Sequence, residues 1–204
     1  MPTGAWVDDV RGQLGQLSRP LAVYVEQSMN TAAEGLLVRE GLVHVDTEAW
    51  MFMHPDQLIE PSVSPNLVLT TPRGEAALAI NDLVTECFDA DHTQAICQES
   101  PLGERGRVGR RFLLESNGEP VGAATALYRY GWVVLHDICV KPDYRGRDLG
   151  FQLVNRVLAD VVQTWRVAGV FLQCDGGRLE HFYGRSGFRT RYVRHGYATE
   201  VPPA

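Results

Sequence analysis

Residues 132–174 constrain the fold more than any other stretch of the chain. WVVLHDICV (132–140) is an apolar, β-branched run closed by Lys141-Pro142, the composition of a mostly buried strand. After the loop DYRGRDLG (143–150), the residues Leu149, Leu153, Val154, Val157, Leu158, Val161, Val162 and Trp165 recur at three-and-four spacing and form one apolar stripe along a helix. VFLQC (170–174) then reads as a second buried strand. Strand, helix and strand in this order require a crossover, and a crossover joins parallel neighbours with right-handed connectivity. The fold class is therefore α/β.

The flanking segments add antiparallel strands, so the sheet is mixed. RRFLLES (110–116) and PVGAATALYRY (120–130) flank Asn117-Gly118, a dipeptide suited to the left-handed positions of a two-residue hairpin turn. LVLTT (67–71) reads as a strand, and residues 73–88 as a helix with Ala76, Ala77, Ile80, Leu83, Val84 and Cys87 on one face. Residues 89–109 are polar and Gly-rich, a loop with room for one more helix. Residues 176–186 form a short helix stopped by Gly187, and 188–201 supply final strands with aromatic alternation. Upstream, residues 5–32 read as two short helical pieces split by Pro20. LLVREGLVHV (36–45) reads as two short strands around Glu40-Gly41, and AWMFM (49–53) as another. HPDQLIEPSVSPN (54–66) carries three prolines and marks a boundary between an N-terminal extension, 1–66, and a domain at 67–204. A likeness of LLVREG to FLLESNG suggests a degenerate half-repeat in the extension.

Composition narrows the function classes. A chain of 204 residues with 45% apolar and 22% charged residues is an ordinary globular protein and not a disordered one. No segment approaches the roughly 18 uninterrupted apolar residues of a membrane span. The acidic start MPTGAWVDDV lacks the order of a signal peptide, so a cytoplasmic protein with no membrane partner is expected. Cys87, Cys97, Cys139 and Cys174 show no close pairing, and neither H-E-x-x-H nor C-x-x-C occurs, so reduced thiols and no metal are expected. Residues 1–100 carry a net charge of −11 and residues 101–204 one of +5. A basic half suits an anionic ligand and an acidic half a cationic one, although solvated faces produce the same imbalance. Lys141 is the single lysine, and no arginine-rich arm resembles a nucleic-acid binding segment.

A loop between a buried strand and a helix presents backbone N–H groups at the positive end of the helix dipole, where an anion binds. Here that loop is Arg145-Gly146-Arg147-Asp148-Leu149-Gly150. Neither G-x-x-x-x-G-K-[ST] nor G-x-G-x-x-G is present, which excludes the nucleoside triphosphate loop and the dinucleotide fingerprint. The alternative is an ordinary tight turn with solvated arginines.

The order LHDICVKPDYRGRDLG, helix, strand, HFYGRSGF resembles the GNAT superfamily of acyl-CoA-dependent N-acetyltransferases across roughly residues 67–197. Arg145 and Gly150 occupy the outer positions of that family's diphosphate loop, and Phe182, Tyr183, Gly187 and Phe188 its aromatic pair and Gly-Phe. Asp148 stands where many members have glycine, and Gly176 where many have asparagine. The resemblance implies a mixed, mostly antiparallel sheet whose parallel pair splays after Val140, with flanking helices. It implies acetyl-CoA as co-substrate, held by the 145–150 loop and by backbone groups of Ile138, Cys139 and Val140. The reaction would be direct attack by a primary amine. Tyr183 would protonate the leaving thiolate, or else serve as a packing aromatic.

His136, by its offset from Arg145, would be the base. Regular alternation puts it on the face of Ile138 and Val140 and turns Asp137 to the opposite face, where a structural role is expected. The alternative is a core histidine bonded to a backbone carbonyl. The acceptor would lie near Glu86, Asp89, Asp91, His92 and Glu99, an acidic group suited to a cationic amine, a small molecule or a peptide, or else a solvated helix end. Ser186 in GRSG does not meet the G-x-S-x-G nucleophile pattern. Two other classes fit the same chain: an acyl-CoA-binding sensor without turnover, and an interaction module assembling through residues 1–66. A homodimer is compatible with either.

Overall fold

The computed structural model describes residues 8, 9, 12, 22–26, 31–62, 64–88 and 108–199. Its elements in chain order are strand β1 (Ala22–Glu26), helix α1 (Thr31–Arg39), strands β2 (Val43–Met53) and β3 (Leu67–Thr70), and helix α2 (Leu78–Phe88). Strands β4 (Val108–Ser116), β5 (Glu119–Arg129) and β6 (Trp132–Val140) follow, then helix α3 (Leu149–Thr164), strand β7 (Gly169–Asp175), helix α4 (Arg178–Gly184) and strand β8 (Arg189–Ala198). Contacts divide the chain into two compact units, Phe52–Leu172 with His181–Arg189, and Met1–Met51 with Gln173–Glu180 and Thr190–Ala204. The architecture is mixed α/β with one parallel pair.

In the unit built on Phe52–Leu172, Asn117 and Gly118 take φ of 53° and 83°, the left-handed pair that closes the β4–β5 hairpin. β3, β4, β5 and β6 pair antiparallel in that order. β7 joins β6 in parallel, with Trp132 opposite Gly169 and Leu135 opposite Leu172. On one face, Ile80, Leu83 and Val84 of α2 form a buried cluster with Leu113, Ala123 and Cys139. α3 covers the other face: Leu153, Val154, Val157, Leu158 and Val161 are buried, and Arg110 of β4 bonds Asp160 and Thr164. Each fully buried aliphatic side chain contributes roughly 1.5–3 kcal/mol, so the stripe along α3 is what fixes it to the strands.

In the other unit, β1 and β8 pair antiparallel from Ala22 opposite Ala198 to Glu26 opposite Arg194. Leu37, Leu42 and Tyr197 are its buried cluster. Arg194 bonds the Glu48 carboxylate and lies 4.8 Å from the ring centres of both Tyr24 and Trp50. Two expectations fail here. Residues 22–26 are a strand and not part of a helix, and LLVR (36–39) is the end of α1 and not a strand. Glu40-Gly41 is a turn, but one that caps a helix. Gly41, at φ 80°, donates to the Val38 carbonyl at 3.1 Å, and Leu42 donates to the Leu37 carbonyl at 3.0 Å. This is the pattern that satisfies the last carbonyls of a helix, with Leu37 and Leu42 in contact beneath it. The final segment is one strand, β8. Among the described residues, no helix is long and apolar enough to cross a membrane, and no group of three or more His, Cys, Asp or Glu is placed to hold a metal.

Candidate active site

The β5–β6 register breaks where the chemistry is expected. Ala123 faces Cys139, but Thr125 faces His136, so two steps along β5 match three along β6. This is a β-bulge, and Asp137 within it takes a left-handed φ of 52°. An extra residue reverses the alternation on either side of it. His136 therefore shares the α2 face with Thr125, Ala123 and Cys139, while Val140 lies against Gly122 and Leu153 on the α3 face. The expected common face of His136 and Val140 is corrected by the bulge.

The expected orientation of Asp137 is corrected for the same reason. Its Oδ2 accepts the Thr125 hydroxyl at 2.9 Å and lies 2.8 Å from His136 Nδ1. The Asp137 side chain is 7% exposed and that of His136 34%. His136 Nε2 is buried and has no hydrogen-bond partner among the described residues. Burial, followed by the neighbouring Cys87, pushes the Cys139 thiol far above its ordinary pKa, so Cys139 is a neutral wall of this face.

The loop after β6 opens with a 3₁₀ turn at Pro142–Tyr144. Arg145 Nε then donates to the Val140 carbonyl at 3.0 Å, which ties the loop to the strand end. Gly146 and Asp148 take φ of 76° and 60°. α3 begins at Leu149, and the side chain of its N-cap residue, Asp148, does not bond the first N–H groups, the helix end at which an anion is favoured. The Asp148 carboxylate turns to Arg185, 3.0 Å away, whose guanidinium lies 4.5 Å from the Phe151 ring centre. Arg145 and Arg147 are exposed. A cavity of about 510 Å³, lined by Ser116, Asn117, Glu119, Tyr144, Arg147 and Leu149, opens beside the loop rather than at His136 or Tyr183. In it the Tyr144 hydroxyl donates to Glu119 at 2.6 Å, a bond that raises the phenol's pKa.

Tyr183 of α4 is buried, edge-on to Phe182 and Phe188 with ring centres 4.9 and 6.1 Å away. A Cβ at Gly150 would stand 3.2 Å from the Phe182 ring and 3.8 Å from Val140, so the glycine lets α4 approach the start of α3. Gly187, at φ 89°, would place a Cβ 2.7 Å from the Gln57 carbonyl oxygen. Ser186 is fully buried and bonded to Asn155, the setting of a structural serine.

The predicted residues therefore gather in two places. Val140, Arg145 and Gly150 meet at the start of α3, with Phe182 packed on Gly150; His136, Asp137 and Thr125 meet on the α2 face, and Ile138 follows the left-handed residue of the bulge. Glu86, at the end of α2, pairs with Lys141 at 3.6 Å. Asp89, Asp91, His92 and Glu99 lie outside the described residues. Sequence reasoning missed Thr125 and Arg185. Arg185 stands inside HFYGRSGF, where a cation beside an anion loop was a readable signal.

The sequence profile of the Acetyltransferase (GNAT) family matches residues 77–188, more than half of the chain. The chain belongs to the GNAT family of N-acetyltransferases. This GNAT chain is 28% identical over 100 residues to an uncharacterized N-acetyltransferase of Methanocaldococcus jannaschii, a match covering 44% of the chain and 43% of that relative. It thus spans less than half the length of the curated relative it matches. A GCN5-related N-acetyltransferase from Kribbella flavida superposes with a TM-score of 0.74 at 16% identity, covering 98% of this chain and 76% of that one. A tandem GNAT protein from the clavulanic acid biosynthesis pathway gives a TM-score of 0.74 at 18% identity, over 98% and 70%. At these identities the two structures show a common fold.

Proposed function

We propose that this GNAT chain transfers an acetyl group from acetyl-CoA to a primary amine. The observation that carries the reading is the uncapped start of α3, beside the exposed Arg145 and Arg147 and directly after β6. Those N–H groups and guanidinium groups suit a diphosphate, and Gly146, Asp148 and Leu149 supply the backbone that carries them. Backbone groups of Ile138, Cys139 and Val140 bind the thioester carbonyl and the pantetheine arm.

An alkyl amine near pKa 10.4 is mostly protonated at neutral pH, so the site must first take a proton. His136 accepts it through Nε2, and the freed nitrogen attacks the thioester carbonyl carbon. A C–N bond forms and the C–S bond breaks. Held in line, Tyr183, a phenol near pKa 10, gives its hydroxyl proton to the departing sulfur, a thiolate near 8.5, and the second proton of the attacking nitrogen, shed as the amide forms, restores the phenol. A cationic acceptor rests on Glu86, Asp89 and Asp91, of which Glu86 already has Lys141 as partner. The acetyltransferase domain is assigned to 67–204 and an extension to 1–66.

Ligand-dependent melting tests the loop assignment. Acetyl-CoA at about 100 times its Kd adds roughly 2.7 kcal/mol of stability and raises Tm, whereas ATP and NAD at equal concentration do not. Equal stabilisation by ATP would remove the specificity for coenzyme A.

A further inference from the structure

A histidine works as a base only when one ring nitrogen keeps a lone pair aimed at the proton, and which nitrogen does so is decided by the bond the other one makes. In most strands a neighbouring carboxylate cannot make that bond, because residues i and i+1 point to opposite faces. The bulge removes this obstacle. The left-handed φ of 52° at Asp137 brings its carboxylate to the His136 face, and left-handed backbone outside glycine is most accessible to Asn and Asp. Oδ2 then lies 2.8 Å from Nδ1 and is itself held by the Thr125 hydroxyl at 2.9 Å, with the carboxylate almost wholly buried. Across the ring, Nε2 is buried and unpartnered among the described residues.

We propose that Asp137 is a positioning residue that holds His136 in the Nδ1–H tautomer, so that Nε2 faces the acceptor amine with its lone pair, and that Thr125 locks the carboxylate in place. This rests on the reading of His136 as the base. The arrangement is a carboxylate, imidazole and acceptor relay built from two consecutive residues, in which Asp137 stabilises the imidazolium formed when the proton arrives and does not itself take the proton. The strained backbone at Asp137 is what the relay costs.

Among the described residues, the other charged and titratable groups on this face are engaged elsewhere or held neutral. Arg111 of β4, opposite Thr125, donates to Asn81 of α2 at 2.6 Å. Cys139 and Cys87 are thiols, the former held neutral by burial, and Glu86 is paired with Lys141. Among the described residues, Asp137 is therefore the one carboxylate within ion-pair distance of the imidazole.

The test compares Asp137→Asn, Thr125→Val and His136→Ala in the full-length chain, with acetyl-CoA and a primary amine that turns over. Asparagine tolerates the left-handed backbone, so Asp137→Asn keeps the fold, and an unchanged acetyl-CoA KM checks that it does. Asp137→Asn should lower kcat about 10- to 100-fold or more, between the effect of removing the carboxylate behind a metal-bound histidine and that of removing it behind a triad histidine. Thr125→Val should act in the same direction with a smaller change, and adding Asp137→Asn to His136→Ala should cost nothing further. ¹⁵N NMR of the ring reads the tautomer without turnover: Nδ1 protonated in the parent, and mixed in Asp137→Asn. If His136→Ala lowers turnover while Asp137→Asn changes neither kcat nor the tautomer, the positioning role is overturned and the base reading stands. If His136→Ala keeps full turnover, the base reading fails and this proposal fails with it.

Discussion

At Tyr183 the ring and the hydroxyl can be separated by substitution. Tyr183→Phe keeps the edge-on packing against Phe182 and Phe188, so acetyl-CoA affinity should survive while kcat falls about 10²-fold or more, as removal of a general acid does. Steady-state kinetics with a rapidly acetylated amine decide it, and full turnover would return the tyrosine to packing. Gly150 tests the other half of the site. In Gly150→Val the new Cβ meets the Phe182 ring at 3.2 Å, and overpacking of about 1–3 kcal/mol displaces the start of α3. Acetyl-CoA KM should rise about tenfold or more with kcat at saturation less affected. Arg145, Gly150 and Tyr183 were readable as site candidates because their spacings to one another form a pattern. Asp137 was not, because period-two alternation presumes a regular pleat and a bulge leaves no mark in residue type beyond the tolerance of aspartate for left-handed backbone.

The contrast between Asn117-Gly118 and Glu40-Gly41 shows what a turn dipeptide can and cannot report about its neighbours. Both contain a glycine with positive φ, 83° at Gly118 and 80° at Gly41. The first joins two strands with clear alternation and reads as a hairpin. The second ends α1, whose Ala33 and Leu37 are buried at helical spacing but whose interior Gly35 and LLV run look like strand. Gly41→Ala separates the two readings energetically. A left-handed alanine costs roughly 1 kcal/mol at a helix end and should lower Tm by about 2–4 °C in a chain of this size, with acetyl-CoA binding unchanged. No change in Tm would argue against the capping geometry.

The crossover and the hairpin were readable because each is made of segments adjacent in sequence, and they make up most of the unit from Phe52 to Leu172. The other unit joins Met1–Met51 to Gln173–Glu180 and Thr190–Ala204, and no local pattern can announce a pairing such as Ala22 with Ala198. The charge distribution suits the proposed function, since residues 101–204 carry the net +5 and also the 145–150 loop proposed for the diphosphate, while the acidic acceptor candidates fall in the −11 of residues 1–100. In the proposed function acetyl transfer joins the two, and thiol release from acetyl-CoA would report it. With a panel of primary amines, cationic ones included, the full chain should release coenzyme A thiol in an amine-dependent manner that saturates in acetyl-CoA, with one acetylated amine per thiol by mass spectrometry. Acetyl-CoA that binds and raises Tm while no amine on the panel releases thiol above the amine-free rate would contradict the assignment of this chain as a working N-acetyltransferase and leave it a binder of the thioester.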